Sequence, residues 1–362
     1  MALKVGVVGM RGIGNTHAQA YKQDPLAELV AVCDVVKERA DAAAARFGVR
    51  AYYSLREMLR QEEIDIVDVT TGGFENGSWH FEPTMEAIEA GKHVLVEKPL
   101  SNDVNEARQM VAAATRKDVY LGCNLNHYFT LPAERGKQYI ANGQIGEQIY
   151  CLHLMGFGGG EPPNYRPPDS SRVKGWPYFH LKAFLSHPFS VMRHFCGDIT
   201  HIQAFVERPG YRRRAQDVML SVAGINVRFA NGCIGYLLSQ RGDAPTGEGL
   251  WWMLEVAGTK GVFRIENCVE KIIYRSVEKP GEPVVTHSGT TDFNTTFANR
   301  IHAFLEDVSN GVPKEMLRAS GRDALAALEY TWAVIESYES GGALVRPHPL
   351  PPLHGDPATL LD

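Results

Sequence analysis

The chain predicts an α/β fold in two parts: an N-terminal Rossmann-type domain with a doubly wound parallel sheet, and a C-terminal α+β domain with a large, mostly antiparallel open sheet. Three observations predict it. The chain opens with KVGVVGMRGIGNTH, a short apolar strand running into a glycine-rich turn and a helix. The first third alternates short Val/Ile/Leu runs with helical segments. Near residue 125 that alternation gives way to a series of β-like runs separated by turn pairs.

Strands are expected at Lys4–Gly9, Glu28–Cys33, Ile64–Thr70, His93–Glu97 and Val119–Asn124. Each is a continuous apolar run, as strands buried on both faces require. Between them lie the alanine-rich Ala40–Phe47, then Glu82–Ala90 ending at Gly91, then Asp103–Lys117 after Ser101-Asn102. These elements divide the chain into residues 1–124, a dinucleotide-binding domain, and residues 125–362, a second α+β domain. The second part begins with a helix at Leu131–Asn142 stopped by Gly143, a strand at Ile149–Met155, and the Gly/Pro-rich loop Phe157–Pro177. A helix near Leu185–Phe195 follows. Strands are then expected at His201–Glu207, Asp217–Phe229, Cys233–Ser239, Leu250–Ala257, Gly261–Glu266 and Lys271–Arg275, with Asn231-Gly232 as a hairpin turn. Helices at Asn294–Asn310 and Arg322–Ser340 close the domain, and the Pro-rich tail 346–362 is expected on the surface.

With 362 residues at 44% hydrophobic, the chain can bury two cores. A net charge of −5 argues against a nucleic-acid binder held by phosphate contacts. Arg212-Arg213-Arg214 reads as a solvated loop. Six cysteines lie far apart with no C-x-x-C pair, which suits buried thiols in a reducing compartment. The first strand starts near Leu3, which leaves no space for a signal peptide, and no apolar run is long enough to span a membrane. A cytoplasmic protein without a membrane partner is expected.

The turn Gly9-Met10-Arg11-Gly12-Ile13-Gly14 resembles the dinucleotide fingerprint with Arg11 in place of the second glycine. Gly12 can take over part of that glycine's role, Arg11 can itself meet a phosphate, and the helix N-terminus after Gly14 offers N–H groups to an anion. Asp34, twenty residues past Gly14, reads as the acceptor for the ribose 2′-OH of NAD and repels the extra phosphate of NADP. Its plain alternative is a helix N-cap. Lys37 leaves some tolerance for NADP.

GMRGIGNTH, Asp34, IDIVDVTT, AGKHVLVEKPLS, NGQIGE, GTKGVFRIEN and RIHAFLEDVSNGVP together resemble the glucose–fructose oxidoreductase / inositol dehydrogenase / MocA family across nearly the whole chain. The resemblance implies hydride transfer between NAD(P) and a hydroxyl or carbonyl of a sugar, inositol or related polyol. It also implies a homodimer or homotetramer assembled through the C-terminal sheet. Lys98 maps onto the family's active-site lysine, whose ammonium would stabilise a developing alkoxide or polarise a carbonyl. Glu97 stands beside it, and Pro99 fixes the backbone after it. A surface lysine held by Glu97 is the plain alternative. Counting back from Cys196-Gly197-Asp198, the family's histidine maps onto His187. Its companion carboxylate falls on Ala183, and a further acid on Ser190. His187 is therefore expected to exchange the proton without that carboxylate, with His180 and Lys182 near it, unless it is only a packed histidine before Pro188.

Thr70–His80 follows the third expected strand at the end where ligands bind, in place of a shorter family turn. That puts Thr71, Gly72 and His80 beside the cofactor and Glu75, Asn76 and Trp79 toward substrate, or else the segment is an extended surface loop. By the same resemblance, Asn126 falls near the nicotinamide and His127 near substrate. In the Phe157–Pro177 loop, Tyr165, Arg166, Lys174 and Trp176 are candidate hydroxyl donors and a sugar-stacking ring. Trp251-Trp252 reads as sheet core. His180, His187, His194 and His201 recur every seven residues, but Pro188 and Gly197 interrupt a common helix and no carboxylate sits at ligand spacing, so no metal is expected. Two alternatives stay beside the dehydrogenase reading. One is a redox-neutral, NAD-dependent elimination or glycoside cleavage through a transient ketone. The other is a non-catalytic nucleotide-binding protein, motivated by Ala183.

Overall fold

The structure, a computed structural model, describes residues 2–72, 79–157, 178–207, 222–241 and 250–350. Its first part is a six-stranded parallel sheet of β1 (Leu3–Val8), β2 (Ala27–Cys33), β3 (Arg50–Tyr52), β4 (Ile66–Val69), β5 (His93–Val96) and β6 (Leu121–Cys123). The order is β3-β2-β1-β4-β5-β6, the doubly wound arrangement that brings all strand C-termini to one edge. Between the strands run α1 (Gly12–Gln23), α2 (Lys37–Phe47), α3 (Leu55–Gln61), α4 (Phe81–Glu89) and α5 (Val104–Arg116). The strand alternation gives each face its own core. Val5, Val7 and Ile66 pack with Ala18 and Tyr21 of α1, while Val8, Val67, Val69 and Val96 pack with Ala107 and Met110 of α5. Each such fully buried side chain contributes about 1.5–3 kcal/mol over its exposed state.

Beyond β6 come α6 (Leu131–Ala141), β7 (Gln148–Phe157), α7 (Phe179–Phe184), α8 (Ser186–Cys196), β8 (Ile199–Glu207), β9 (Val222–Phe229), β10 (Ile234–Arg241), β11 (Trp252–Gly258), β12 (Gly261–Glu266), β13 (Lys271–Ser276), β14 (Val284–His287), α9 (Thr295–Ser309) and α10 (Gly321–Glu339). The eight strands form one sheet in the order β14-β13-β12-β11-β7-β10-β9-β8. The β7–β10 pair is parallel and every other pair is antiparallel. Gly232, at φ +89°, turns β9 into β10 as the Asn-Gly pair predicted. One face packs on α6, α8 and α10; the other leaves Phe205, Ile234 and Tyr236 exposed.

The structure differs from expectation in a few places. β3, α3 and β14 were not anticipated. The helix expected at Leu185–Phe195 is α8, α7 before it was not anticipated, and Pro188 is no interruption: it is the third residue of α8, where its missing N–H costs nothing. α9 leaves the second sheet, and α10 packs on both parts of the chain. Ile301, Phe304 and Leu305 of α9 join the core around α1, and Leu325 and Leu328 of α10 join the core around α5. Residues 351–362 of the tail and Arg212–Arg214 lie outside the described residues. No described helix is long and apolar enough to cross a membrane.

Candidate active site

Because all six strands of the first sheet are parallel, Gly9, Asp34, Thr70, Glu97-Lys98 and Asn124 leave it at the same edge. Gly9 (φ +99°) makes the turn into α1. A Cβ on Gly14 would stand 2.0 Å from the Gly9 carbonyl oxygen, so this close approach of helix to strand needs glycine at both positions. Thr70 closes the turn from β4, its hydroxyl donating to the carbonyls of Val8 (3.0 Å) and Gly9 (2.8 Å). Arg11 is the N-cap of α1, is exposed, and supplies no side-chain cap. Ile13 is also exposed. Asp34 is buried. Its carboxylate accepts from Met10 N (2.8 Å) and Val36 N (2.9 Å), with the Arg39 guanidinium at 3.7 Å. It braces the turn rather than capping α2, whose N-cap is Val36.

A cleft of about 550 Å³ runs along this edge, lined among others by Gly9, Arg11, Asp34, Thr71, Gly72 and Trp79. The residues fit a dinucleotide. The uncapped first turn of α1 offers N–H groups to a pyrophosphate. Each Asp34 oxygen also keeps a second lone pair for a ribose hydroxyl.

Lys98 follows β5, and its peptide bond to Pro99 is cis. Its ammonium reaches the Ala183 carbonyl of α7 (3.4 Å) and lies 5.2 Å from the Phe184 ring centre. Lys98 therefore stands where the two parts of the chain meet. Beside it, His127 and His187 are buried and stacked, with ring centres 3.7 Å apart and planes 13° from parallel. Among the described residues, the Nδ1 atom of each ring has no hydrogen-bond partner. Phe293 and Trp251 stand edge-on to His127. Burial holds both imidazoles well below the ordinary histidine range. The His127 ring and the Lys98 ammonium push His187 further down, and Lys98 followed by His153 does the same for His127. Both rings are neutral at physiological pH.

Other expected residues go elsewhere. His80 ties two loops together, its ring lying between the carbonyls of Pro99 (2.8 Å) and Thr71 (3.2 Å). Asn126 donates to the Thr296 hydroxyl at the start of α9 (2.6 Å). Lys182 lays its ammonium over the Trp332 ring of α10 at 4.1 Å, and His180 meets the Ser239 hydroxyl of β10 at 3.2 Å. The heptad histidines separate: His194 stacks on Tyr128 and His201 meets Thr200. Among the described residues no group of three or more His, Cys, Asp or Glu is arranged to hold a metal. Glu75, Asn76, Tyr165, Arg166, Lys174 and Trp176 lie outside the described residues.

Three polar residues escaped the sequence reading: His17 of α1, Asp68 of β4 and Asn124. His17 bridges Asp68 (2.8 Å) and Glu97 (3.2 Å), and the Asn124 amide donates to Glu97. The signal was an acid inside the apolar run IDIVDV, which a buried strand tolerates only with a partner.

Residues 3–125 match the family described as oxidoreductase family, NAD-binding Rossmann fold. Residues 134–264 match the GFO/IDH/MocA C-terminal domain. A 1,5-anhydro-D-fructose reductase of Ensifer adhaerens is 38% identical over 332 residues, covering 87% of this chain and 90% of that protein. A myo-inositol 2-dehydrogenase of Thermotoga maritima is 25% identical over 346 residues, covering 93% and 96%. The crystal structure of an NAD binding oxidoreductase from Klebsiella pneumoniae superposes with a TM-score of 0.83 at 22% identity, covering 96% of this chain and 99% of that one. With both halves matched and the parallel sheet, glycine turn and Asp34 in place, the chain belongs to the Gfo/Idh/MocA family of NAD-dependent oxidoreductases.

Proposed function

We propose that the protein is a dehydrogenase or reductase of a sugar, an inositol or a related polyol, in which Lys98 and His187 are the catalytic residues and His127 borders the substrate. NAD, when bound, supplies the acceptor or donor of the hydride. The observation that carries the reading is the reach of the Lys98 ammonium from the end of β5 to the Ala183 carbonyl, beside two buried neutral imidazoles. From there Lys98 donates a hydrogen bond to the reacting oxygen and stabilises the negative charge that develops on it. His187, neutral and without a partner at Nδ1 among the described residues, takes the proton that leaves a hydroxyl on oxidation and returns it on reduction. Gly9 to Gly14 and Asp34 hold the pyrophosphate and ribose ends of the cofactor. The substrate class is supported by the relatives named for 1,5-anhydro-D-fructose and myo-inositol. A second copy of the chain is proposed on the open sheet face around Phe205, Ile234 and Tyr236, to be checked by light scattering.

The test starts with binding: purified protein is titrated with NADH and NADPH, following energy transfer from its tryptophans. Oxidation of myo-inositol with NAD⁺ and reduction of 1,5-anhydro-D-fructose with NADH then follow, read by absorbance. Tight NADH binding with turnover that Lys98→Met abolishes is the expected result. Protein that binds neither nucleotide, and releases none on denaturation, sinks the proposal.

A further inference from the structure

Asp68 sits on a strand buried on both faces, and neither it nor its partner His17 has any exposed surface. A buried charge is costly unless it is paired. His17 has Asp68 at Nδ1, 2.8 Å away, and Glu97 at Nε2, 3.2 Å away, with the Asn124 amide nitrogen also 3.2 Å from Nε2. A neutral imidazole has one N–H to give, so a ring that donates to both carboxylates is doubly protonated. Burial alone would depress this histidine, but Asp68 and then Glu97 outweigh it and lift it to about 10. The pairing works in both directions. Burial would raise Glu97, yet His17 first, with Lys98 and Asn124 adding, holds it below the usual carboxylate range.

The second oxygen of Glu97 accepts from the backbone N–H of Lys98 at 3.1 Å. Glu97 turns back to α1, whereas Lys98 turns out to α7, as successive residues of an extended chain do. Among the described residues, the titratable groups that interact with Lys98 include Glu97, His80, Cys123, His127 and His187. Among these, Glu97 supplies the negative charge.

We propose that His17 is a positioning residue for the reacting lysine: bridging Asp68 and Glu97, it holds Glu97 as an anion on the Lys98 backbone and so sets the charge next to the Lys98 ammonium. The inference rests on the reading of Lys98 given above.

The test needs no substrate. Lys98 is acetylated with acetic anhydride across a pH series, and its labelling is followed by peptide mass spectrometry. Glu97→Gln removes the anion, so the labelling midpoint falls by about one unit, roughly tenfold more labelling at a fixed pH below it. His17→Gln leaves Glu97 buried without its cation. Glu97 then takes up a proton, and the midpoint falls in the same direction and to a similar extent. The double variant falls no further than either single one. A midpoint in His17→Gln that stays at the wild-type value, or shifts that add in the double variant, overturns the proposal. Should His17→Gln fail to fold, nitrogen NMR of ¹⁵N-histidine protein decides. A doubly protonated His17 at pH 8 supports the proposal, and a neutral ring overturns it. Unchanged turnover in Lys98→Met would instead sink the reading of Lys98, leaving the labelling result standing.

Discussion

Gly14→Ala measures how closely the turn between β1 and α1 is fitted. The new Cβ would stand 2.0 Å from the Gly9 carbonyl oxygen and 2.7 Å from the Thr70 hydroxyl. An ordinary carbon–oxygen contact is about 3.3 Å, so the first turn of α1 must retreat by roughly 1.3 Å. The nearest obstacle is backbone, not the far end of a flexible side chain. Ala18 and Tyr21 of the same helix are fully buried and lose contacts as the helix moves. Overpacking of this kind costs about 1–3 kcal/mol, and the helix preference of Ala over Gly returns up to about 1. A net loss near 2 kcal/mol lowers Tm by roughly 5 °C. The same retreat misplaces the N–H groups of the first turn. Losing one charge-assisted hydrogen bond weakens NADH binding by about tenfold or more. Gly12→Ala is the control: its Cβ meets nothing within 4 Å, so its Tm should match the wild type or rise slightly. Circular dichroism melts and tryptophan energy-transfer titrations read both effects. A Gly14→Ala protein that melts with the wild type and binds NADH equally well would refute the reasoning.

Lys98→Met should lower turnover by about 10²-fold or more while NADH affinity, read by energy transfer, changes less than about threefold, because its ammonium acts on developing charge. Acid stability should follow His153, which burial depresses to about 4. The unfolded chain, at about 6.5, binds the proton more readily, so stability falls as pH drops from about 6.5 towards 4, by roughly 2 kcal/mol at pH 5. His153→Gln should flatten that part of a denaturation-midpoint series. His17 acts in the opposite sense: its raised value adds stability that is present below about 6.5 and lost as pH rises through about 10. Arg108→Ala strips the buried Glu329 of α10 of its paired contacts at 2.7 and 3.0 Å. It should cost about 2 kcal/mol in chemical denaturation without changing NADH affinity.

Most of the fold was legible because the strands of the first sheet are buried on both faces and therefore read as unbroken apolar runs. The elements that escaped lack that signal. β3 has three residues at a sheet edge, α3 is a seven-residue helix too short to show a period, and β14 is exposed along its length. The turn, Asp34 and Lys98 could be located from local pattern. The position of the Lys182 ammonium could not, because its partner Trp332 lies 150 residues away on a helix that only the tertiary fold brings near. Asn126 hid its side-chain partner for a similar reason. Its neighbour Asn124 ends the strand and meets Glu97, while Asn126 has already turned into a short 3₁₀ helix and faces α9. The departure at Ala183 was visible in the sequence, but what stands near it in space was not: a backbone carbonyl on Lys98, and beside them the His127–His187 stack.

The loss of that carboxylate has a consequence for how the proposed chemistry is divided. The α7–α8 side presents a carbonyl to Lys98 and neutral imidazoles next to it. In the proposed division, Glu97, paired with His17, brings negative charge to Lys98 from the opposite side. Proton acceptor and charge control then belong to different halves of the chain, and the reaction depends on their spacing. Two helices of the second half fix it. α9 packs against α1, the helix that carries His17, while α10 packs against α5 and α8. At their junction the fully buried Arg300 donates to the carbonyls of Cys123 (3.0 Å), one residue before Asn124, and Ala319 (3.1 Å), at the approach to α10. A guanidinium spent on two carbonyls, with no carboxylate partner among the described residues, is expensive to bury. Its position joins the strand end beside Glu97 to the helix that supports His187, which is where a site divided between two halves needs a rigid link.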